Sequence, residues 1–123
     1  MRVFIICTNP PYGNETTRSA LRIARRLLKE PGVELSIFLM AEAVYCACSK
    51  AEYANGSYGE LEAQTFSAPQ LVSLILEKAT IYACGTCMGE RGLQDGDMLE
   101  GIQKGTMDIL NDETAAADKV LTL

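Results

Sequence analysis

The residues best suited to chemistry in this chain are its cysteines. There are five among 123 residues, and there is no histidine. Without an imidazole, nucleophile activation of the Ser-His-Asp or Cys-His kind and HExxH metal sites are excluded. Any reaction must therefore use thiols, carboxylates, lysine, arginine, hydroxyls or the backbone. The five thiols belong to Cys7, Cys46, Cys48, Cys84 and Cys87.

Cys84 and Cys87 form a CxxC motif directly after an apolar run, residues 79–83 (ATIYA), which is typical of a strand. A thiolate at the carboxyl end of a strand can meet free backbone N–H groups, and the glycines of the segment CGTCMGERGL let that backbone approach closely. Such donors, with a cation such as Arg91, can lower the pKa of a thiol. Cys84 is therefore the candidate nucleophile. The alternative is that Cys84 is only a small apolar residue closing the strand.

The CxxC motif has three chemical interpretations. A thioredoxin-type redox pair should open a long helix, but two glycines within residues 88–92 make a poor helix interior. A zinc site would need two more thiolates, which Cys46 and Cys48 could supply, although CxC with CxxC is not a common zinc spacing. Sulfur handling needs only a thiolate that takes up a sulfane sulfur as a persulfide and passes it on. This third interpretation suits a chain without histidine.

The other three cysteines are weaker candidates. Cys7 lies inside an apolar run and is expected in the core. Cys46 and Cys48 are two positions apart, so on a helix they cannot face the same way, and at most one of them can point at a site.

The elements that must position these thiols alternate between strands and helices. Apolar runs predict strands at residues 3–7, 33–40, 79–83 and 118–123. Apolar side chains spaced three and four residues apart predict a helix from Glu15. Asn14 or Thr16 is its expected N-cap, and residues 30–32 are its expected end. A capping box, Ser67 to Gln70, predicts a second helix reaching Lys78. Weaker patterns predict a short helix at residues 41–47, a loop or lid at 49–65, and a short strand or turn followed by a helix between 102 and 110.

This alternation predicts one three-layer α/β/α domain with a parallel sheet, covering residues 1–123. Ligand sites of such folds lie outside the carboxyl ends of the strands. Two loops are expected there, residues 8–14 and 84–92. Neither GxGxxG nor a Walker loop is present, and no cofactor or metal is expected. The residues expected to bind a substrate are Asn9, Tyr12, Gly13, Gly85, Arg91 and Gly92.

The net charge and the hydropathy of the chain argue against further classes of protein. Eleven basic against sixteen acidic residues give a net charge of −5, which argues against a nucleic-acid binder. No run approaches the ~20 apolar residues of a membrane span and no signal peptide is recognised, so a cytoplasmic protein with reduced thiols is expected. The first helix nevertheless has a basic face, which is either solvated or covered by acidic groups of this chain or another subunit. That face comprises Arg18, Arg22, Arg25, Arg26 and Lys29.

Four blocks, RVFIICTNPPYGNETTRSALRIA, LSIFLMAEAV, CGTCMGERGL and AADKVLTL, resemble the DsrE/DsrF-like sulfur-relay family, and within it the YchN-like subgroup. The resemblance implies a five-stranded parallel sheet and homotrimers or homohexamers. It also implies a persulfide-carrying cysteine after the third strand, which corresponds to Cys84. Cys87 matches a second cysteine of the subgroup, and Arg91 and Gly92 match the pair that closes the loop.

The expected function is therefore a cytoplasmic sulfur carrier that exchanges sulfane sulfur with donor and acceptor proteins. Two alternatives stay open, a thiol-disulfide redox protein using Cys84 and Cys87 and a non-catalytic oligomeric binding module.

Overall fold

The computed structural model describes residues 1–13, 15–49 and 67–123. The strands are β1 (Arg2–Cys7), β2 (Glu34–Leu39), β3 (Thr80–Cys84), β4 (Gln103–Gly105) and β5 (Lys119–Thr122). They form one parallel sheet in the order β4-β3-β2-β1-β5. The predicted α/β class with a five-stranded parallel sheet is confirmed.

Helices cover both faces of the sheet. The α-helices are α1 (Thr16–Leu27), α2 (Ala68–Leu76), α3 (Gly85–Glu90) and α4 (Met107–Ala116). α1 and α2 pack against each other on one face, whereas α4 lies on the other, where Glu113 accepts hydrogen bonds from Ser36 of β2 and Tyr82 of β3. Two 3₁₀ helices, Ala41–Ala47 and Asp95–Asp97, follow β2 and α3.

Most of the core lies between the sheet and the pair α1 and α2, while Phe4 and Phe38 are fully buried on the other face. The strands alternate their side chains between the two faces, and parallel register places Ile5, Ile37 and Ile81 side by side, all fully buried. The α4 face is covered less completely, because no residue of α4 is fully buried. The two sides of the sheet therefore differ in how much apolar surface they remove from water.

Two predicted helix starts have different outcomes. The capping box before α2 is confirmed, since the Ser67 N–H donates to Gln70 Oε1 at 2.7 Å and the Gln70 N–H donates to Ser67 Oγ at 3.4 Å. The N-cap prediction for α1 is wrong for Thr16, which is already helical; Glu15 takes the cap position without a side-chain cap bond. Asn14 lies outside the described residues.

Other predictions concern the middle of the chain. The expected short helix at residues 41–47 is a 3₁₀ helix with those bounds. The predicted loop or lid falls, apart from Ser49, outside the described residues. Of the helices in the described ranges, none is long and apolar enough to cross a membrane.

Cys7 is fully buried in the core, as the sequence predicts. Burial raises the pKa of its thiol from 9.0 to about 12, because a thiolate is poorly solvated there. Cys46 is also fully buried, and burial together with the nearby Cys7 raises its pKa. Both thiols therefore stay protonated in the folded protein over a pH range in which an unfolded chain would ionise them.

We expect the free energy of unfolding to fall as the pH rises from 9 to 12, since only the unfolded chain releases the Cys7 proton in this range. Each such thiol contributes a slope of about 1.4 kcal/mol per pH unit. Urea unfolding of the wild type and of Cys7→Ala, measured at several pH values, should give a shallower slope for the variant. Parallel stability curves would contradict this account.

Candidate functional site

Cys84 stands at the carboxyl end of β3 and is also the N-cap residue of α3. Its Sγ accepts a hydrogen bond from the backbone N–H of Cys87 at 3.5 Å. The side chain is 3% exposed. The expected supply of backbone donors is thus present as one N–H group, three residues further along the chain.

The segment after Cys84 is a short helix and not the predicted glycine-rich loop. α3 covers only six residues, Gly85–Glu90. Its C-terminus is closed by the N–H of Leu93, which donates to the Met88 carbonyl at 2.9 Å, and by Gly92, whose φ of +68° favours glycine. The Cys84 cap and this C-terminal turn outweigh the low helix propensity of the glycines. The CxxC motif therefore opens a helix, though a much shorter one than a thioredoxin-type pair requires.

Cys87 lies one turn into α3 and faces the end of β2. Its Sγ accepts a hydrogen bond from the backbone N–H of Ala41 at 3.2 Å. Ala41 has a φ of +52°, in the left-handed region that an L residue other than glycine rarely adopts. This strained backbone aims the N–H group at the Cys87 sulfur.

Burial is the largest influence on Cys87 and raises the pKa of its thiol. The hydrogen bond from the Ala41 N–H and the charge of Arg91 act in the opposite direction, whereas the hydrogen bond and charge interaction with Cys84 raise the pKa further. Cys87 therefore keeps its proton to a higher pH than a solvent-exposed thiol would.

Arg91 caps α3 with its side chain. One guanidinium nitrogen, Nη1, donates to the Cys87 carbonyl at 3.0 Å. The charge of Arg91 lowers the pKa of Cys87, so the electrostatic influence of this cation falls on the second cysteine of the motif.

Cys84 and Cys87 line one open cavity of about 630 Å³ at the carboxyl edge of the sheet. This volume lies within the range of small-molecule sites. The cavity brings together three predicted site residues, Cys84, Gly85 and Cys87, with Met40 from the end of β2. Its remaining lining residues come from α3, β4 and the start of α4: Thr86, Lys104, Gly105, Thr106 and Met107.

The other predicted substrate-binding residues lie elsewhere. The Asn9 carbonyl accepts a hydrogen bond from the Thr17 hydroxyl at 2.7 Å, Tyr12 is half exposed, and Gly13 has a φ of +83°. These three residues follow β1, which β2 separates from β3 in the sheet. Among the described lining residues of the cavity there is none of this loop, and neither Arg91 nor Gly92. Their roles in substrate binding stay predictions.

Cys46 and Cys48 are both fully buried, and neither lines the cavity as the structure describes it. Cys48 forms an isolated antiparallel bridge with Met98. Within residues 1–13, 15–49 and 67–123 no group of three or more His, Cys, Asp or Glu residues is arranged to hold a metal ion.

Several residues of the site are not predicted from the sequence, among them Ala41 and Lys104. Ala41 gives no signal, because alanine does not indicate a left-handed backbone. Lys104 belongs to β4, a strand of only three residues, which is too short to show a period-two pattern. A Gly-Thr pair before an amphipathic run, at 105–106, marks the start of α4, and Thr106 does cap that helix by accepting from the Ile109 N–H at 3.2 Å.

The fold and the site together define an α/β protein with a cysteine pair at the carboxyl edge of a parallel sheet. The family model described as the DsrE/DsrF-like family matches residues 1–123, and the chain belongs to that family. The family is associated in general with sulfur relay.

Individual relatives are similar over nearly their full lengths. An uncharacterised protein of Methanocaldococcus jannaschii is 32% identical over 126 aligned positions, with 99% of each chain covered. YchN of Escherichia coli K12 is 28% identical over 123 positions, covering 98% of this chain and 97% of YchN. The crystal structure of the E. coli YchN protein matches with a TM-score of 0.82 and covers 100% of this chain and 99% of its own.

We expect Ala41→Gly to raise the free energy of unfolding by about 0.5 to 1 kcal/mol, because glycine adopts a positive φ without the steric cost that alanine meets. Ala43→Gly is the matched control two residues along the same 3₁₀ helix. It should lower stability by about 1 kcal/mol, since a buried methyl group is lost. Urea unfolding midpoints check both values, and a destabilised Ala41→Gly would contradict the strain argument.

Proposed function

We propose that this chain is a sulfur-relay protein in which Cys84 accepts sulfane sulfur and passes it on as a persulfide. The observation that supports this most directly is the shared cavity, in which Cys84 and Cys87 lie together with a backbone N–H on each sulfur. The membership of the chain in the DsrE/DsrF-like family agrees with this chemistry.

The transfer step needs no cofactor and no external oxidant. The Cys84 thiolate attacks the outer sulfur of a donor persulfide, R–S–SH. A new S–S bond forms at Cys84, the S–S bond of the donor breaks, and its electron pair leaves with the thiolate RS⁻. An acceptor thiolate then attacks the outer sulfur on Cys84 in the same way. Such exchange suits a reducing compartment such as the cytoplasm, where acceptor thiols are maintained.

The two cysteines have different parts in this proposal. Cys84 is the carrier, because it corresponds by position to the persulfide-carrying cysteine that the family resemblance implies, and because the pKa of the Cys87 thiol is raised. Cys87 is the resolving residue: its thiolate can attack the inner sulfur of the Cys84 persulfide, which forms a Cys84–Cys87 disulfide and releases the outer sulfur as hydrosulfide. The raised pKa of Cys87 makes this second reaction slow at neutral pH.

Reduced protein incubated with cysteamine persulfide should gain the mass of one sulfur atom, which peptide mapping assigns to Cys84. Cys84→Ser should lose the adduct. Cys7→Ser should keep it, because Cys7 is buried away from the cavity. Cys87→Ser should prolong the lifetime of the adduct by about tenfold or more, since no neighbouring thiol remains to resolve it.

The outcomes of this experiment separate the function classes. Equal labelling of all five cysteines, or an unlabelled Cys84, would reject the carrier assignment. A mass loss of two hydrogen atoms mapped to Cys84 and Cys87 in the unmodified protein, together with no added sulfur on Cys84 in Cys87→Ser, would instead favour a thiol-disulfide redox protein. That second candidate is favoured by one observation, namely that the CxxC motif opens a helix.

We also propose that the chain assembles with copies of itself. The α4 face of the sheet supports this, because α4 has no fully buried residue and Val120 of the edge strand β5 is 40% exposed. In register, Val120 lies beside Phe4 of the core. A second copy covering this side would bury apolar surface that a single chain leaves in water.

Light scattering at micromolar concentration should therefore give a mass that is a multiple of the 13.4 kDa of one chain, three or six times by the family resemblance. Val120→Asp should shift the mass toward one chain, because a carboxylate would be buried at the interface. Ile23→Asp, at an exposed apolar residue of α1 on the opposite layer, is the matched control and should leave the mass unchanged. A single-chain mass for the unmodified protein would remove this proposal.

A further inference from the structure

Lys104 occupies a particular place beside the cysteine cavity. Pairing of β4 with β3 sets Gly105 next to Cys84 and Lys104 next to Ala83. The lysine side chain lines the 630 Å³ cavity of Cys84 and Cys87, and it also lines a second cavity of about 220 Å³ together with Met88, Asp95, Met98 and Ile102. Lys104 therefore lies between the two cavities.

Gly85 makes room for this side chain. A Cβ atom at position 85 would lie 3.0 Å from Cγ and 3.1 Å from Cδ of Lys104, closer than ordinary van der Waals contact. The absence of a side chain directly after Cys84 thus lets the lysine stem lie against the backbone of the reactive segment. The lysine stem therefore lies beside the residue that directly follows Cys84.

The ammonium group of Lys104 forms a weak ion pair. Lys104 Nζ lies 3.0 Å from Asp95 Oδ1, and the two side chains are 57% and 78% exposed. Water screens ion pairs that are this exposed, so they contribute little. An anion in the larger cavity can therefore take over the ammonium group from Asp95.

Lys104 is the source of charge at the border of the larger cavity, and its ammonium group lies at Asp95, on the side of the smaller cavity. Of its described lining residues, Lys104 alone carries a formal charge, while the others are cysteine, methionine, threonine and glycine. Arg91 is turned to the Cys87 carbonyl, at the far end of α3. A cavity with one cation and no lining carboxylate favours an anionic ligand.

We propose that Lys104 is the anion-recognition residue of this site and that it positions a small anionic sulfane-sulfur donor of the thiosulfate class in front of Cys84. This inference rests on the proposed function of Cys84. The Cys84 thiolate attacks the outer sulfur of thiosulfate, an S–S bond forms at Cys84, and the S–S bond of thiosulfate breaks. Sulfite leaves with the electron pair, and Lys104 balances its charge while keeping its own proton.

The test compares two donors of opposite charge. Thiosulfate is a dianion, whereas cysteamine persulfide carries an ammonium group, and both deliver the same sulfur to Cys84. The rate of sulfur addition to Cys84 is read from intact mass and peptide mapping. For each variant, the rate with thiosulfate is divided by the rate with cysteamine persulfide, which gives the donor ratio. A merely structural role of Lys104 would change both rates together and leave the ratio unchanged.

We expect Lys104→Gln to lower the thiosulfate rate by about tenfold or more, since a hydrogen bond to a charged group is lost, and to leave the cysteamine persulfide rate within about twofold. Lys104→Arg should restore most of the thiosulfate rate. Asp95→Asn, which releases the ammonium group, should raise it. Lys78→Gln removes the same charge at the exposed amino end of β3 and should leave both rates unchanged.

Gly85→Ala is a second variant that keeps the charge but displaces it. The new Cβ would push the lysine stem away, so the thiosulfate rate should fall while that of cysteamine persulfide falls less.

The two proposals fail differently. If neither donor adds sulfur to Cys84 in the unmodified protein, the carrier function itself is rejected. If cysteamine persulfide labels Cys84 but thiosulfate does not, or if the donor ratio is the same in Lys104→Gln as in the unmodified protein, the carrier function stands and the role of Lys104 is overturned. A donor protein would then be the remaining source of sulfur.

Discussion

The approach of β4 to the aromatic core is the constraint on which the cysteine site depends. Gly105 lies so close to Phe38 that a Cβ atom there would be 2.6 Å from the ring, and Phe38 packs edge-on against Phe4 and at a tilt against Tyr82. Since Phe38 is fully buried, it has little freedom to move away. Only glycine therefore allows β4 to pair beside Cys84. This pairing forms one wall of the cavity and brings in a lysine from a distant part of the sequence.

The five thiols differ in what surrounds their sulfur atoms. Cys7, Cys46 and Cys48 are enclosed in the core, and burial raises the pKa of Cys7 and of Cys46. Cys84 and Cys87 line the open cavity at the carboxyl edge of the same sheet, with a backbone N–H directed at each sulfur. Access to the cavity therefore distinguishes this pair from the other three thiols, although Cys84 is almost as buried as they are.

Sequence analysis succeeds where a pattern is local and long enough to be read. The apolar run before Cys84 predicts a strand, and the sheet places that cysteine at its carboxyl end, as expected. Ala41 and Lys104 are not predicted, because a left-handed alanine and a three-residue edge strand leave no periodic signal. The sequence predicts a loop where α3 forms, since helix propensity reflects the glycines but not the sulfur cap at Cys84. The position of Asn9 and its neighbours depends on strand order, which spacing along the chain does not give.

The neighbouring positions of β1 and β5 have a consequence for synthesis on the ribosome. The N–H of Arg2 donates to the Asp118 carboxylate, a pairing across 116 positions, and the strands then run side by side through Leu123. While the chain is being made, β1 can pair with β2 but has an open flank until β5 emerges. An open apolar strand edge is prone to pair with other chains. The described residues that line the cysteine cavity all precede β5 in the chain, so the edge beside β1 is the last part of the sheet to be closed to intermolecular pairing.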